Sequence, residues 1–125
     1  MKHVLIIENE SLIRNSIGYA VEQEGYPVTT TSDTEEGRVL ACSGRYDLVI
    51  TDISLNNMKE VIKLIEDTKI ASPRTKVMVL TAHLEDEMKQ AAEMGSIDVF
   101  CTKPFELSEI RRIVNNLMRE EKIMV

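Results

Sequence analysis

A doubly wound α/β domain, five parallel strands with helices on both faces, is what this 125-residue sequence predicts. Three observations carry that reading. Short apolar runs alternate in strict order with amphipathic stretches along the whole chain, the pattern that right-handed crossovers fold into a parallel sheet. The runs Val4-Leu5-Ile6-Ile7 and Leu48-Val49-Ile50 are apolar at every position rather than at alternate ones, as strands buried on both faces are. The length suits one conventional core but not two, so residues 1–125 are expected to form a single domain.

The first strand, Val4 to Ile7, runs into Glu8, Asn9 and Glu10. In SLIRNSIGYAVEQEG, residues Leu12, Ile13, Ile17, Ala20 and Val21 fall on one helical face and Gly25 provides a stop. YPVTTTS is short and β-branched, a second strand, with Ser32 or Asp33 placed to cap the helix through TEEGRVLACSG. Gly37 weakens that helix. YDLVITD is a third strand ending in Asp52, and NMKEVIKLIEDTKI puts Met58, Val61, Ile62 and Ile65 at helical spacing. Pro73 breaks the chain before KVMVLTA, a fourth strand ending at Thr81-Ala82. EDEMKQAAEMG reads as a helix stopped by Gly95, and DVFCTKPF as a fifth strand running into Lys103-Pro104. ELSEIRRIVNNLMRE is a last helix with Leu107, Ile110, Ile113, Val114 and Leu117 on one face. Met78, Met88, Met94 and Met118 suit core filling, and the final EEKIMV is expected to fray.

Composition excludes several classes of function. At 43% hydrophobic and 29% charged residues the chain is not a disordered segment. A net charge of -6 offers no basic grip for phosphates, so direct nucleic-acid binding is not expected. The apolar runs are too short for a bilayer and Met1-Lys2-His3 does not begin a signal peptide, so no membrane partner and a cytoplasmic location are expected. Cys42 and Cys101 have no metal-ligand spacing around them and read as buried free thiols. ENESL, after the first strand, lacks the Gly-, Ser- or Thr-rich character of a phosphate-cradling loop, which counts against an enzyme or cofactor binder on this architecture, such as a flavodoxin-like protein or a phosphatase using an aspartyl intermediate.

The chemistry lies where the strands end. Glu8 and Asn9 follow the first apolar run, Asp52 the third, Thr81 the fourth and Lys103 the fifth. All carboxyl ends of a parallel sheet share one edge, so these residues should converge. Carboxylates take Mg2+, Lys and Thr hold phosphoryl oxygens, and Asp52 is suited to in-line attack on phosphorus to give an acyl phosphate. Taken singly, each residue also has a plainer role. Asp52 is a turn or capping residue, Lys103 a surface cation, Thr81 a strand former, His83 a solvated loop residue and Phe100 a core side chain.

With the acidic end of VLIIENE, DLVITD with Asp52, VMVLTA with Thr81 and KPF with Lys103 in that order, the chain resembles the response-regulator receiver domain of bacterial two-component signalling over nearly its whole length. The resemblance implies a flavodoxin-like sheet in the order 2-1-3-4-5. It implies that Asp52 is the phosphoacceptor, modified by a sensor histidine kinase or phosphotransfer protein, in a signalling switch with no turnover on an external substrate. Glu8, position 9, Asp52 and the backbone carbonyl of Ser54 would hold Mg2+, while Thr81 and Lys103 would contact the phosphoryl group. Phe100 matches an aromatic switch whose rotation with Thr81 reshapes the face of the fourth helix, fifth strand and last helix, where an unknown downstream protein reads the signal. The side chains of Ser54 and His83 match positions that tune loss of the phosphoryl group, and the family also forms homodimers through the last helix and its neighbours.

Two departures matter. Asn9 stands where the family has a second acid, so the negative charges of Glu8 and Asp52 less the positive charge of Lys103 leave one, where an acid pair would leave two. Mg2+ is therefore expected to bind weakly. Glu10 lies nearby, but its family equivalent is not usually a ligand. In DISLNNMKE, Asn56 and Glu60 replace a proline and a glycine that shape the loop over the site. These departures keep open a second reading, a pseudo-receiver that acts as a protein-interaction module without phosphorylation.

Overall fold

The computed structural model describes residues 2–54, 56–82 and 95–119. Five parallel strands, β1 (Val4–Ile7), β2 (Val28–Thr31), β3 (Leu48–Ile53), β4 (Lys76–Thr81) and β5 (Val99–Thr102), form one sheet in the order β2-β1-β3-β4-β5. Four helices lie within the described residues: α1 (Ser11–Gln23), α2 (Thr34–Ala41), α3 (Met58–Ala71) and α4 (Leu107–Arg119). The helix expected in EDEMKQAAEM, the loop residue His83 and the tail EEKIMV fall outside the described residues.

Successive side chains of a strand point to opposite faces, and here both faces are dry. Val4, Ile6, Leu48, Ile50, Met78 and Leu80 meet Ile17 and Val21 of α1 and Ile110, Val114 and Met118 of α4. Leu5, Ile7, Val49, Val77 and Val79 meet Ala41 of α2 and Val61, Leu64 and Ile65 of α3. Two cores therefore use every apolar position of the central strands, which is why the sequence shows continuous runs. β2 is an edge strand with Thr29 and Thr30 exposed, so only its β-branched character marked it.

The helices correct the sequence reading in places. Leu12, expected on the buried face of α1, is 76% exposed. It precedes Ile17 by five residues, which places it about 140° around the helix from that buried side chain. Leu64 is fully buried, whereas Met58 and Ile62 are only partly covered. Cys101 is a buried free thiol as expected, but Cys42 is only half-buried at the end of α2. Of the two candidate caps for α2, Asp33 is the one used: its carboxylate accepts the N–H groups of Glu35 and Glu36 at 3.3 and 3.4 Å. Gly25 closes α1 at φ +94, in the left-handed region where glycine is favoured.

Gly37 has a packing reason that propensity hides. A Cβ there would lie 2.6 Å from Ile7 Cδ1 and 2.8 Å from Ile7 Cγ1, so the missing side chain lets α2 press onto β1. Ile7 is buried and stiff at its branch point, with little room to give. Gly37→Ala is expected to lower stability by about 1 kcal/mol, since overpacking costs about 1–3 kcal/mol and outweighs the helix-propensity gain of about 1 kcal/mol. A urea midpoint above that of the parent would contradict this packing account.

Candidate functional site

Each site residue lies at, or just beyond, the carboxyl end of a strand. Glu8 leaves β1 with its N–H donating to the Thr31 carbonyl at 3.0 Å. Asp52 is the penultimate residue of β3, in register with Leu80 of β4, and so lies inside the strand rather than after it. Thr81 closes β4 and is fully buried. Its carbonyl accepts the N–H of Lys103 at 2.7 Å, which holds the exit of β5 beside the end of β4.

The charged groups meet at that edge. Lys103 Nζ lies 2.8 Å from Asp52 Oδ1 and 3.1 Å from Glu8 Oε1. Glu8 is only 2% exposed, and its second oxygen accepts the Glu10 N–H at 3.0 Å. A nearly dry carboxylate is thus satisfied by one ammonium and one backbone amide. Burial alone would lower the pKa of the Lys103 ammonium. The hydrogen bonds and charges of Asp52 and Glu8 outweigh burial and hold it above the ordinary lysine value.

The remaining positions are less tightly drawn in. Asn9 is exposed, and Arg14 of α1 donates to the main-chain carbonyls of Glu8 at 2.8 Å and Asn9 at 3.4 Å. In the loop after β3, the Ser54 N–H donates to Asn57 Oδ1 at 2.7 Å, and the Ser54 carbonyl accepts the Asn57 N–H at 3.2 Å. Phe100 of β5 lies opposite Val79 and packs, half-buried, against the core under α2 and α3. The sequence reading missed Arg14 and Asn57. Their contacts run largely to backbone atoms, which leave no side-chain pattern, although an Asn just before an amphipathic run marks a helix start.

The donors expected from the sequence are the carboxylates of Glu8 and Asp52, the amide oxygen of Asn9 and the carbonyl of Ser54. All are oxygen, the kind that hard divalent cations take. Among the described residues no group of three or more Asp, Glu, His or Cys side chains comes together as a metal site. The charge at this edge is accordingly set by two carboxylates and one lysine.

A five-stranded parallel sheet in the order 2-1-3-4-5 is the fold of the receiver domains, the signalling switches of two-component systems. Residues 4–115 match the response regulator receiver domain model, and the chain belongs to that family. It is 31% identical over 119 residues to the cell cycle transcriptional regulator CtrA of Caulobacter vibrioides, covering 95% of this chain and 51% of CtrA. It is 32% identical over 125 residues to the alkaline phosphatase synthesis transcriptional regulatory protein PhoP of Bacillus subtilis, covering 98% of this chain and 50% of PhoP. The chain thus spans about half the length of these curated relatives. Its fold matches the crystal structure of a CheY-like receiver domain protein from Methanospirillum hungatei JF-1 at a TM-score of 0.84 and 24% identity, covering 98% of each chain. Receiver domains usually bind Mg2+ at their acidic pocket, and response regulators interact with histidine kinases and downstream effectors. No helix of the described residues is long and apolar enough to cross a membrane.

Proposed function

We propose that this chain is a phosphoacceptor switch modified on Asp52 by a histidine kinase or phosphotransfer protein. The observation that carries the reading is the contact of the Lys103 ammonium with both Asp52 and Glu8, at 2.8 and 3.1 Å. A carboxylate oxygen of Asp52 attacks phosphorus as the nitrogen–phosphorus bond of the donor phosphohistidine breaks. The leaving imidazole keeps the bonding electron pair, and the product is an acyl phosphate. Lys103 and Thr81 hold the phosphoryl oxygens, the lysine exchanging part of its bond to Asp52 for the new charge. Glu8, Asn9, Asp52 and the Ser54 carbonyl would hold Mg2+, which would supply charge neutralisation for the transferring group. The missing acid at position 9 makes that binding weak.

Phosphorylation shifts the balance between two arrangements of one fold. Phe100 and Thr81 carry the change to the face to which β5 and α4 contribute, where a downstream protein reads it. The chain turns over no external substrate, acts as a single cytoplasmic domain over residues 1–125, and is also suited to homodimer formation through α4. It binds no nucleic acid itself.

The test is beryllium fluoride, a mimic of the phosphoryl group, added with Mg2+ to 15N-labelled protein. Amide shifts at Asp52, Thr81, Phe100, Thr102 and Lys103, extending into α4, are the expected result. Shifts confined to the exposed acids, or none at all, would overturn the switch and favour the pseudo-receiver.

A further inference from the structure

We propose that Asn57 is a positioning residue that fixes the Ser54 peptide groups for cation binding, an inference that rests on the metal-binding reading of Ser54 above. Asn57 occupies the N-cap of α3, and its carbonyl accepts the Val61 N–H at 3.0 Å, the bond that opens the helix. An Asn at this place normally turns its side chain onto the next helical N–H groups. Here it makes no such bond. Its Oδ1 points backward and accepts the Ser54 N–H at 2.7 Å, while its own N–H donates to the Ser54 carbonyl at 3.2 Å.

The two bonds act on different peptide planes. The Ser54 N–H belongs to the peptide before Ser54 and the Ser54 carbonyl to the peptide after it. A single residue therefore holds both sides of the position that follows Asp52 by two. The carbonyl keeps a second lone pair while bonded to Asn57, so the clamp and a cation are compatible. A proline restricts such a loop through its ring and a glycine lets it turn where other residues are hindered, and this chain has Asn56 and Glu60 instead. Hydrogen bonds from Asn57 supply the missing restraint. Fixing a ligand through its outer partner is the ordinary way a site preserves its affinity.

The test compares the parent, Asn57→Ala and Asn57→Asp by amide hydrogen exchange in the absence of metal and by Mg2+ titration followed in 15N spectra. Since α3 has no side-chain cap to lose, Asn57→Ala should fold. Its Ser54 amide is expected to exchange about tenfold faster, and its Mg2+ affinity to fall about tenfold, as the loss of an outer-shell partner does. Asn57→Asp keeps the acceptor oxygen and should restore the Ser54 protection. Unchanged Ser54 exchange in Asn57→Ala would overturn the clamp, as would affinity unchanged from the parent. A parent that binds no Mg2+ would overturn the link to the cation. Failure of the phosphoacceptor reading looks different: the parent would bind Mg2+ through this loop yet take no phosphoryl group from acetyl phosphate.

Discussion

Replacing Asn9 with Asp is expected to tighten Mg2+ binding about tenfold, equivalent to about 1.4 kcal/mol, because ligand charge count is a main determinant of affinity for hard cations. The amide offers an oxygen without charge, and the pocket now has two carboxylates against the Lys103 ammonium. A third carboxylate has a cost when metal is absent. Lys103 already serves both acids, so the new charge adds to those of Glu8 and Asp52, and the metal-free variant should be slightly less stable than the parent. The order reverses with ligand, since saturation at about a hundred times Kd stabilises by about 2.7 kcal/mol and the tighter binder saturates first. Thermal melts across a Mg2+ series should therefore cross. Parallel melting curves, with equal Mg2+ response in both proteins, would mean that position 9 faces away from the cation.

Lys103→Met should produce the largest loss of stability at the site, about 2–3 kcal/mol near neutral pH. Removing one partner of a fully buried ion pair costs about 3–5 kcal/mol, and the partial exposure of the lysine lets water offset some of that. Glu8 would be left with the Glu10 amide alone, close to an unscreened Asp52. The sign of the pH dependence follows from the lysine. Its folded pKa lies above the ordinary value, so its contribution is complete below the unfolded lysine pKa and is lost as pH rises through the folded one. The parent should therefore lose stability in strong alkali while Lys103→Met does not, and the two should converge there. Urea midpoints measured across this range test the point, and a gap that stayed constant with pH would contradict the pairing.

Much of this architecture was legible because parallel strands buried on two faces leave no place for polar residues. Val4 to Ile7 and Leu48 to Ile50 announce themselves for that reason, and the shared carboxyl edge then brings Glu8, Asp52 and Lys103 together without further information. Leu12 was misread because a helix's first turn offers too few residues to fix its phase. The packing role of Gly37 was not legible because propensity concerns the helix alone, whereas its constraint comes from Ile7 on another element. Asn57 and Arg14 were invisible for a different reason: their bonds go to peptide groups, which every residue has. Composition can report side-chain chemistry, but it says little about which backbone atom a side chain will hold.

Intact-protein mass spectrometry after incubation with acetyl phosphate, with and without Mg2+ and beside Asp52→Asn, tests the central claim most directly. The predicted result is a single phosphoryl adduct that needs Mg2+, forms more readily in Asn9→Asp, and is absent in Asp52→Asn. An unmodified mass over a wide range of Mg2+, or an adduct that persists in Asp52→Asn, would contradict the account.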